Sequence, residues 1–580
     1  MNNPAESPFP QPLIDAFAHD PDNPAFEFRT RPVARGLVLA LVRDCAARLE
    51  AAGLGPGRGV ALTTAVTPAG FAAQIAAHLL GCRVTGLRPG LTPAQLRHVL
   101  GQEVDVVLVD GTTRTEALAD AAKAAGAAVL DVEVDLLGGR PGDGGIPEEA
   151  ADGGAHRAAD GPPGAASGPH EGAGGPHAGG DGPPGVASGP YEPAGAGASV
   201  AAGLLARGRP DDVALITLTS GSTGHPKGCA QTYRALGAHW SWQPADRWND
   251  ATRELAAGYG RFLVFGTLTS AVMLEHLALC LLGGGTAVIP EPPVSFPHTW
   301  QRHQVTACLC TVPRLYQVLD TLRTEDVDTS SMRALLVAGS PLPPHRLAEA
   351  TERLGPVVYQ GYGQTETGML ALLTPQAQAR YGERVRDAVG RPMPDVGISV
   401  RDPEGRPVPT GTAGEVWVRA AGAMSGYWKD EEQTREVVRD GWIRTRDLGI
   451  LGEDGFLRLL GRAREVVFVN AILYYTAAIE AALAGHPDVD QAYVVAAPDE
   501  TTGEAAHAFV VPLSRDRPPA PGELRAAVRA ELGGDAVPAT ITVLDSVPVA
   551  PSGKPDKKEL LARVQATRTP APDPGAPTVP

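Results

Sequence analysis

The chain has 580 residues, of which 43% are hydrophobic and 20% charged; at ~150 residues per domain this predicts about three or four compact units and excludes a wholly disordered protein. Its formal net charge of −16 repels phosphodiester backbones, which argues against nucleic acid as the main partner. The six cysteines are too few for a disulfide scaffold of this length and show no metal-type pairing.

The opening Met1 to Pro8 has neither a basic region nor an apolar run, so no signal peptide is expected and a cytoplasmic setting is inferred. Leu37 to Ala52 reads as an amphipathic helix ending at Gly53, Val60 to Thr64 as a strand, Pro68 to Gly81 as a helix and Val106 to Val109 as a buried strand. Residues 1–137 therefore form the first part of an α/β layer. Residues 138–198 break the rhythm: they are rich in Gly and Pro and nearly free of large apolar side chains. An internal duplication (Asp160 to Glu171, again at Asp181 to Glu192) marks them as a disordered insertion, since such a stretch cannot offset its ordering entropy. The α/β pattern resumes at Asp211. Ala271 to Leu282 is apolar but short and contains Glu275 and His276, so it reads as a core helix and no membrane partner is expected. Alternation in Cys308-Leu309-Cys310 points both thiols to one face, as buried reduced cysteines. Residues 391–460 are strand-rich, for example Gly414 to Arg419, and an α+β unit follows. The boundaries expected are 199–463 for the rest of the large domain, 464–565 for a small mobile domain and 566–580 for a disordered tail.

Five segments carry chemistry. In Leu215 to Gly228 a β-branched strand runs into Thr219-Ser220-Gly221-Ser222-Thr223-Gly224 and then Lys227. Glycines let backbone N–H groups turn inward, hydroxyls add donors, and the lysine is a point charge for a polyphosphate. The glycine spacing is not that of a Walker loop, and a flexible surface turn would have the same composition. In Gln360-Gly361-Tyr362-Gly363-Gln364-Thr365-Glu366-Thr367, a strand ending at Tyr359 is followed by a ring for a base, then a Thr and a Glu facing phosphates. One carboxylate with substrate oxygens suits Mg²⁺, although a glycine-rich turn with a solvated Glu reads the same way. Asp447, at the expected end of the strand Trp442 to Arg446, suits two ribose hydroxyls or a plain turn. Gly461 to Glu465 and Pro551 to Lys558 are charged runs that say little alone.

In this order and spacing the five segments resemble the adenylate-forming superfamily of acyl- and aryl-CoA ligases, peptide-synthetase adenylation domains and luciferases. The resemblance implies a large N-terminal domain of α/β subdomains with a β-barrel-like part, and a small mobile α+β C-terminal domain turning about Arg464 and Glu465. It implies Thr219 to Lys227 as the phosphate loop, and Gly339, Ser340, Pro341, Gln360, Gly361 and Tyr362 as adenine walls. It further implies Thr365 at the α-phosphate, Glu366 on Mg²⁺, Asp447 and Arg462 on ribose, and Lys554 as the lysine that enters during adenylation. The activity implied is ATP-dependent activation of an aryl or acyl carboxylate, then transfer to CoA or to the phosphopantetheine thiol of a carrier protein.

The chain departs from that pattern after the hinge, where Phe468, Ala471 and Thr476 replace a Lys, a Gly and a Pro. Ala471 puts the thioester step in question, and nitrite activation for diazotisation of an aryl amine is the alternative reading. The segment Tyr259 to Gly266 lacks an Asp, which disfavours an α-amino acid substrate; Arg261, Phe262 and Phe265 read as a pocket wall or as core, and His239, Trp240 and Trp242 as its entrance.

Overall fold

The computed structural model describes residues 8–139, 203–219, 225–470, 472–550 and 554–568. The insertion from residue 140 on, Ser220 to Gly224, Ala471 and the tail from residue 569 lie outside the described residues.

Two large sheets make the body of the protein. The first has seven strands, and its central members Val213–Thr219, Arg83–Gly86, Gly59–Leu62, Val106–Val109 and Ala128–Asp131 run parallel. Gly59–Leu62, Arg83–Gly86 and Val106–Val109 are buried at every position, as parallel strands covered by helices on both faces must be. The expected helices appear as Arg35–Ala51 and Pro68–Leu79. The second sheet has nine strands, with Thr286–Ile289, Arg261–Leu263, Ala307–Thr311, Ala334–Ala338 and Val358–Gln364 parallel at its centre. Its edge is supplied by Pro24–Phe28 and Arg31–Ala34. The N-terminal stretch thus serves both sheets: Ala25, Phe26 and Phe28 are buried, and Phe26 pairs with Ala287.

Helix Ala271–Leu282 is buried from Met273 onward, including Glu275 and His276, and Ser270 caps it by accepting the Met273 N–H at 3.4 Å. All six cysteines are free and buried, with Cys308 and Cys310 in one core cluster. No helix among the described residues is long and apolar enough to cross a membrane.

The part expected to be barrel-like is a five-stranded antiparallel sheet built from Val396–Arg401, Gly414–Ala420, Trp442–Leu451, Val438–Arg439 and Leu457–Arg462. A last sheet of Ile472–Tyr475, Val466–Val469, Gly503–Pro512, Val489–Asp499 and Thr540–Val543 packs on helices Thr476–Ala484 and Pro521–Leu532. It has its own core, including Val467, Ile479, Leu483, Val510, Leu524 and Val528. The fold is a large N-terminal α/β domain with a small C-terminal domain. Helix Lys557–Arg568 continues past residue 565.

Two local expectations change. The strand expected to stop at Tyr359 continues to Gln364 and returns as Gly368–Leu373, so the Gly-Tyr-Gly stretch lies inside a hairpin and Thr365 to Thr367 form its tip. Glycine makes this possible: a Cβ on Gly363 would lie 2.3 Å from the Gly368 carbonyl oxygen, and Gly368 itself has φ +69°. Asp447 likewise is not at a strand end but within Trp442–Leu451, after Arg446 in the left-handed region at φ 62°.

Candidate active site

The parallel neighbours Ala334–Ala338 and Val358–Gln364 bring their carboxyl ends together, where open α/β sheets bind ligands. Gly339, Ser340 and Pro341 follow the first strand. Gln360 is buried with Oε1 unpartnered, and Gly361 packs under Leu336, whose Cδ1 would be 3.2 Å from an added Cβ.

Across from them, Asp447 is 5% exposed and fully engaged. Its Oδ2 accepts the Tyr362 hydroxyl at 2.7 Å and Gln364 Nε2 at 2.6 Å, while Oδ1 lies 3.2 Å from Arg462 Nε. The strands hold this pair in register, Asp447 opposite Arg462. Burial raises the Asp447 pKa; Arg462 and the two hydrogen-bond donors oppose the rise. Burial, and then Asp447, push the Tyr362 phenol up, so it stays a donor.

The hairpin tip carries Thr365 and Glu366, both half-buried. Glu366 Oε1 accepts the Tyr427 hydroxyl at 2.9 Å, and its carbonyl accepts the Met424 N–H at 2.9 Å. Lys227 Nζ sits 5.3 Å from the Tyr427 ring centroid and donates to Gln433 Oε1. It begins the strand Lys227–Thr232, which returns antiparallel to Val213–Thr219 with Thr219 opposite Lys227. The phosphate-loop lysine and the expected metal carboxylate are thus joined through one tyrosine.

Lys554 comes from the small domain. Its carbonyl accepts the Ala550 N–H at 2.8 Å, and its Cε lies 3.7 Å from where a Cβ on Gly339 would sit. The ammonium keeps a solvent-facing side, yet its pKa is lowered by desolvation first and by Arg462 second, while Glu366 and Asp447 pull it up. The lysine is therefore within electrostatic reach of both carboxylates. Beside the expected hinge, Arg464 pairs with Glu436 at 3.1 Å and Glu465 with Lys557 at 2.6 Å. A buried ion pair joins the domains elsewhere: Arg346, 1% exposed, meets Asp490, lies 2.6 Å from Glu349 and faces the Tyr316 ring at 4.8 Å.

Other expected residues fall elsewhere. Arg261 pairs with Glu27 at 2.8 Å and donates to the His303 carbonyl. Phe262 is core, and Phe265 packs edge-on to Phe296. His239 and Trp242 are buried, Trp242 edge-to-face with Phe9 at 4.7 Å. Trp240 is half-buried and packs against the main core. Phe468 is exposed opposite Leu473, whereas Thr476 is buried and gives both its N–H and its hydroxyl to the Glu465 carbonyl. Thr476 thus braces the hinge.

Sequence reading missed Gln364, Tyr427 and Gln433. Gln364 lay in plain view, because in a strand it shares a face with Tyr362. Tyr427 and Gln433 carry no local signal, since the chain returns to the site from 61 residues beyond Glu366 only in three dimensions. Among the described residues no group of three or more His, Cys, Asp or Glu side chains could hold a metal ion.

Residues 14–428 match the AMP-binding enzyme family, and residues 478–554 match the AMP-binding enzyme C-terminal domain. The chain is 32% identical over 368 residues to the medium/long-chain-fatty-acid–CoA ligase FadD8 of Mycobacterium tuberculosis, covering 61% of this chain and 62% of that protein. It is 33% identical over 359 residues to a feruloyl-CoA synthase of an Amycolatopsis species, covering 61% and 70%. The solved structure of the amide bond synthetase McbA from Marinactinospora thermotolerans superimposes with a TM-score of 0.74 at 30% identity, covering 95% of this chain and 99% of that one. A buried aspartate tied to a tyrosine and an arginine, a hairpin-tip glutamate and a lysine delivered by the small domain thus sit in a chain that belongs to the AMP-binding enzyme family, within the adenylate-forming superfamily.

Proposed function

We propose that this protein uses ATP to activate a small aryl or acyl carboxylic acid as its acyl adenylate, releasing pyrophosphate, and then passes the acyl group to a thiol of CoA or of a carrier protein. The observation that carries this reading is the position of Lys554 over Gly339, within reach of Glu366, Asp447 and Arg462. In the first step a carboxylate oxygen bonds to the α-phosphorus and the bond to the bridging oxygen of pyrophosphate breaks. Both partners are anionic, so fixed positive charge lowers the barrier. Lys554 supplies it from the small domain and Lys227 from the phosphate loop, with Thr219, Ser220, Gly221, Ser222, Thr223 and Gly224 as donors and Thr365 at the α-phosphate. Tyr362 walls the adenine with Gly339, Ser340, Pro341, Gln360 and Gly361. Asp447 and Arg462 hold the ribose.

Glu366 suits Mg²⁺: Tyr427 engages only Oε1, and one carboxylate with phosphate oxygens is an ordinary magnesium environment. Bound there, the ion neutralises phosphate charge. Arg464 and Glu465 act as the hinge between residues 199–463 and 464–565, an assignment supported by their opposite pairings, Arg464 back to Glu436 in the large domain and Glu465 forward to Lys557 in the small one. Six free, buried thiols support a reducing, cytoplasmic setting.

An amine as the final acceptor is the second reading. It is supported by the likeness to an amide bond synthetase at 30% identity along 99% of that chain. None of the relatives named above is named for nitrite chemistry. The test is incubation with ATP, Mg²⁺ and a panel of carboxylic acids, alone, with CoA, or with primary amines, followed by mass spectrometry. Acid-dependent AMP with a thioester supports the first reading, and AMP with an amide but no thioester supports the second. AMP that forms only with nitrite would overturn both.

A further inference from the structure

Helices Pro68–Leu79, Tyr233–Ala238 and Ala271–Leu282 contribute walls to a cavity of about 20 Å³. Its walls are unexpectedly polar for a core: Gln74, His78, Gln231, His239 and Glu275 all line it, and all are buried. Gln74 and His78 are each 2% exposed, and Gln74 Oε1 and His78 Nδ1 have no hydrogen-bond partner. An unpaired buried polar atom costs about 1–3 kcal/mol. A void of ~10–15 Å³ already holds one water-sized polar group, so this one has the size and the lining to receive such a group.

The cavity adjoins the active site. A Cβ on Gly368 would lie 2.9 Å from His239 Nε2 and 3.7 Å from Glu275 Oε1, and Gly368 closes the hairpin tip that carries Thr365 and Glu366. A Cβ on Gly422 would lie 2.5 Å from His239 Cδ2. No side chain at either position separates the pair from the tip. His239 Nδ1 lies 2.9 Å from Ser241 Oγ, and Nε2 faces Glu275 Oε1 at 3.5 Å. Burial holds both groups neutral, lifting Glu275 to about 8 and lowering His239 to about 4. What the cavity offers is therefore neutral hydrogen-bonding groups: the unpaired Gln74 amide oxygen, an acceptor, and the Glu275 carboxyl, whose carbonyl oxygen accepts.

We propose that this cavity receives the end of the acid substrate remote from its carboxylate, and that this end bears a neutral hydrogen-bond donor, a hydroxyl or ring N–H, read by Gln74 and Glu275. The proposal rests on the adenylation reading and narrows its substrate to polar-tipped aryl or short acyl acids. A methyl-ended chain would leave the acceptors unpaired, and an ammonium would require Glu275 to ionise where burial disfavours it.

The test uses the full chain with ATP and Mg²⁺, reading pyrophosphate release for matched acids: 3-(4-hydroxyphenyl)propionate against 3-(4-methylphenyl)propionate, indole-3-carboxylate against benzothiophene-3-carboxylate, and octanoate. The donor-bearing member of at least one pair is expected to show a KM lower by about tenfold or more, because sites built to bond a donor reject analogues that lack it. Gln74→Leu and Glu275→Leu are each expected to shrink that ratio to about threefold or less with the KM for ATP unchanged. Gln74→Met, close to isosteric, serves where Glu275→Leu fails to fold. Equal or lower KM for the isosteres, or release with octanoate alone, overturns this proposal and leaves the adenylation reading standing. Release with none of the acids overturns the adenylation reading and this proposal with it.

Discussion

Two carboxyl groups are buried near the Thr365 to Gly368 tip, and the protein treats them differently. Asp447 accepts two hydrogen bonds and pairs with Arg462. Glu275 has His239 at 3.5 Å, and desolvation lifts it to about 8. Around Asp447 donors and a cation oppose the effect of desolvation, whereas nothing comparable opposes it at Glu275. The nucleotide side is thus an ionic surface completed by the small domain, and the cavity side is a neutral, hydrogen-bonding one.

The strongest way to break the ionic side is Lys554→Ala. Acid-dependent pyrophosphate release should fall by about 10²–10³-fold, while equilibrium ATP binding by calorimetry stays near the wild-type value; near-normal release would remove Lys554 from the reaction. Next comes the tether that docks the small domain. Asp490→Asn leaves the Arg346 charge with only Glu349 beside it, and a stability loss of about 3 kcal/mol is expected in urea unfolding. An unchanged midpoint would show that the pair does not hold the docked state.

Asp447→Asn removes an acceptor that serves a phenol, an amide and a guanidinium. Hydrogen bonds to a charged group are worth about 1.5–3 kcal/mol, so the KM for ATP should rise by about 10–100-fold while the KM for the acid does not move. A parallel rise in both would mean that the pocket has collapsed.

The smallest effect isolates Glu275. Burial lifts its pKa in the folded state to about 8, above the 4.5 of a free glutamate, so the folded state holds the proton more tightly. Its contribution is full below pH ~4.5 and is lost as pH rises to ~8. His239 and His276, lowered by burial to about 4 and about 3, act at the other end: their contribution is full above pH ~6.5 and is lost as pH falls. Between pH 6.5 and 8 the wild type should therefore lose about 2 kcal/mol through Glu275. Glu275→Gln should flatten the thermal midpoint across that window, and an identical slope in both proteins would refute the assignment.

Much of the site was readable in advance because its parts are contiguous in sequence. The strand into Thr219 is a local conformation set by β-branched residues. The extent of the strands was not readable. Val358–Gln364 and Trp442–Leu451 continue through Gly361, Gly363 and Asp447 because neighbouring strands supply hydrogen bonds that no local propensity predicts. The sequence leaves Arg261 open between pocket wall and core for a related reason: its partner Glu27 arrives from the far end of the chain.

Composition and periodicity determined the α/β class, because it depends on short-range stereochemistry, and five spaced motifs carried the resemblance from which the nucleotide-side residues are proposed. Tertiary structure alone decided that Tyr427 bridges Lys227 to Glu366, that Arg346 and Asp490 tether the domains, and that Gln74, His78, His239 and Glu275 share one cavity. These contacts join residues tens to hundreds of positions apart. Their energies come from desolvation and packing, which exist only once the chain has closed around them.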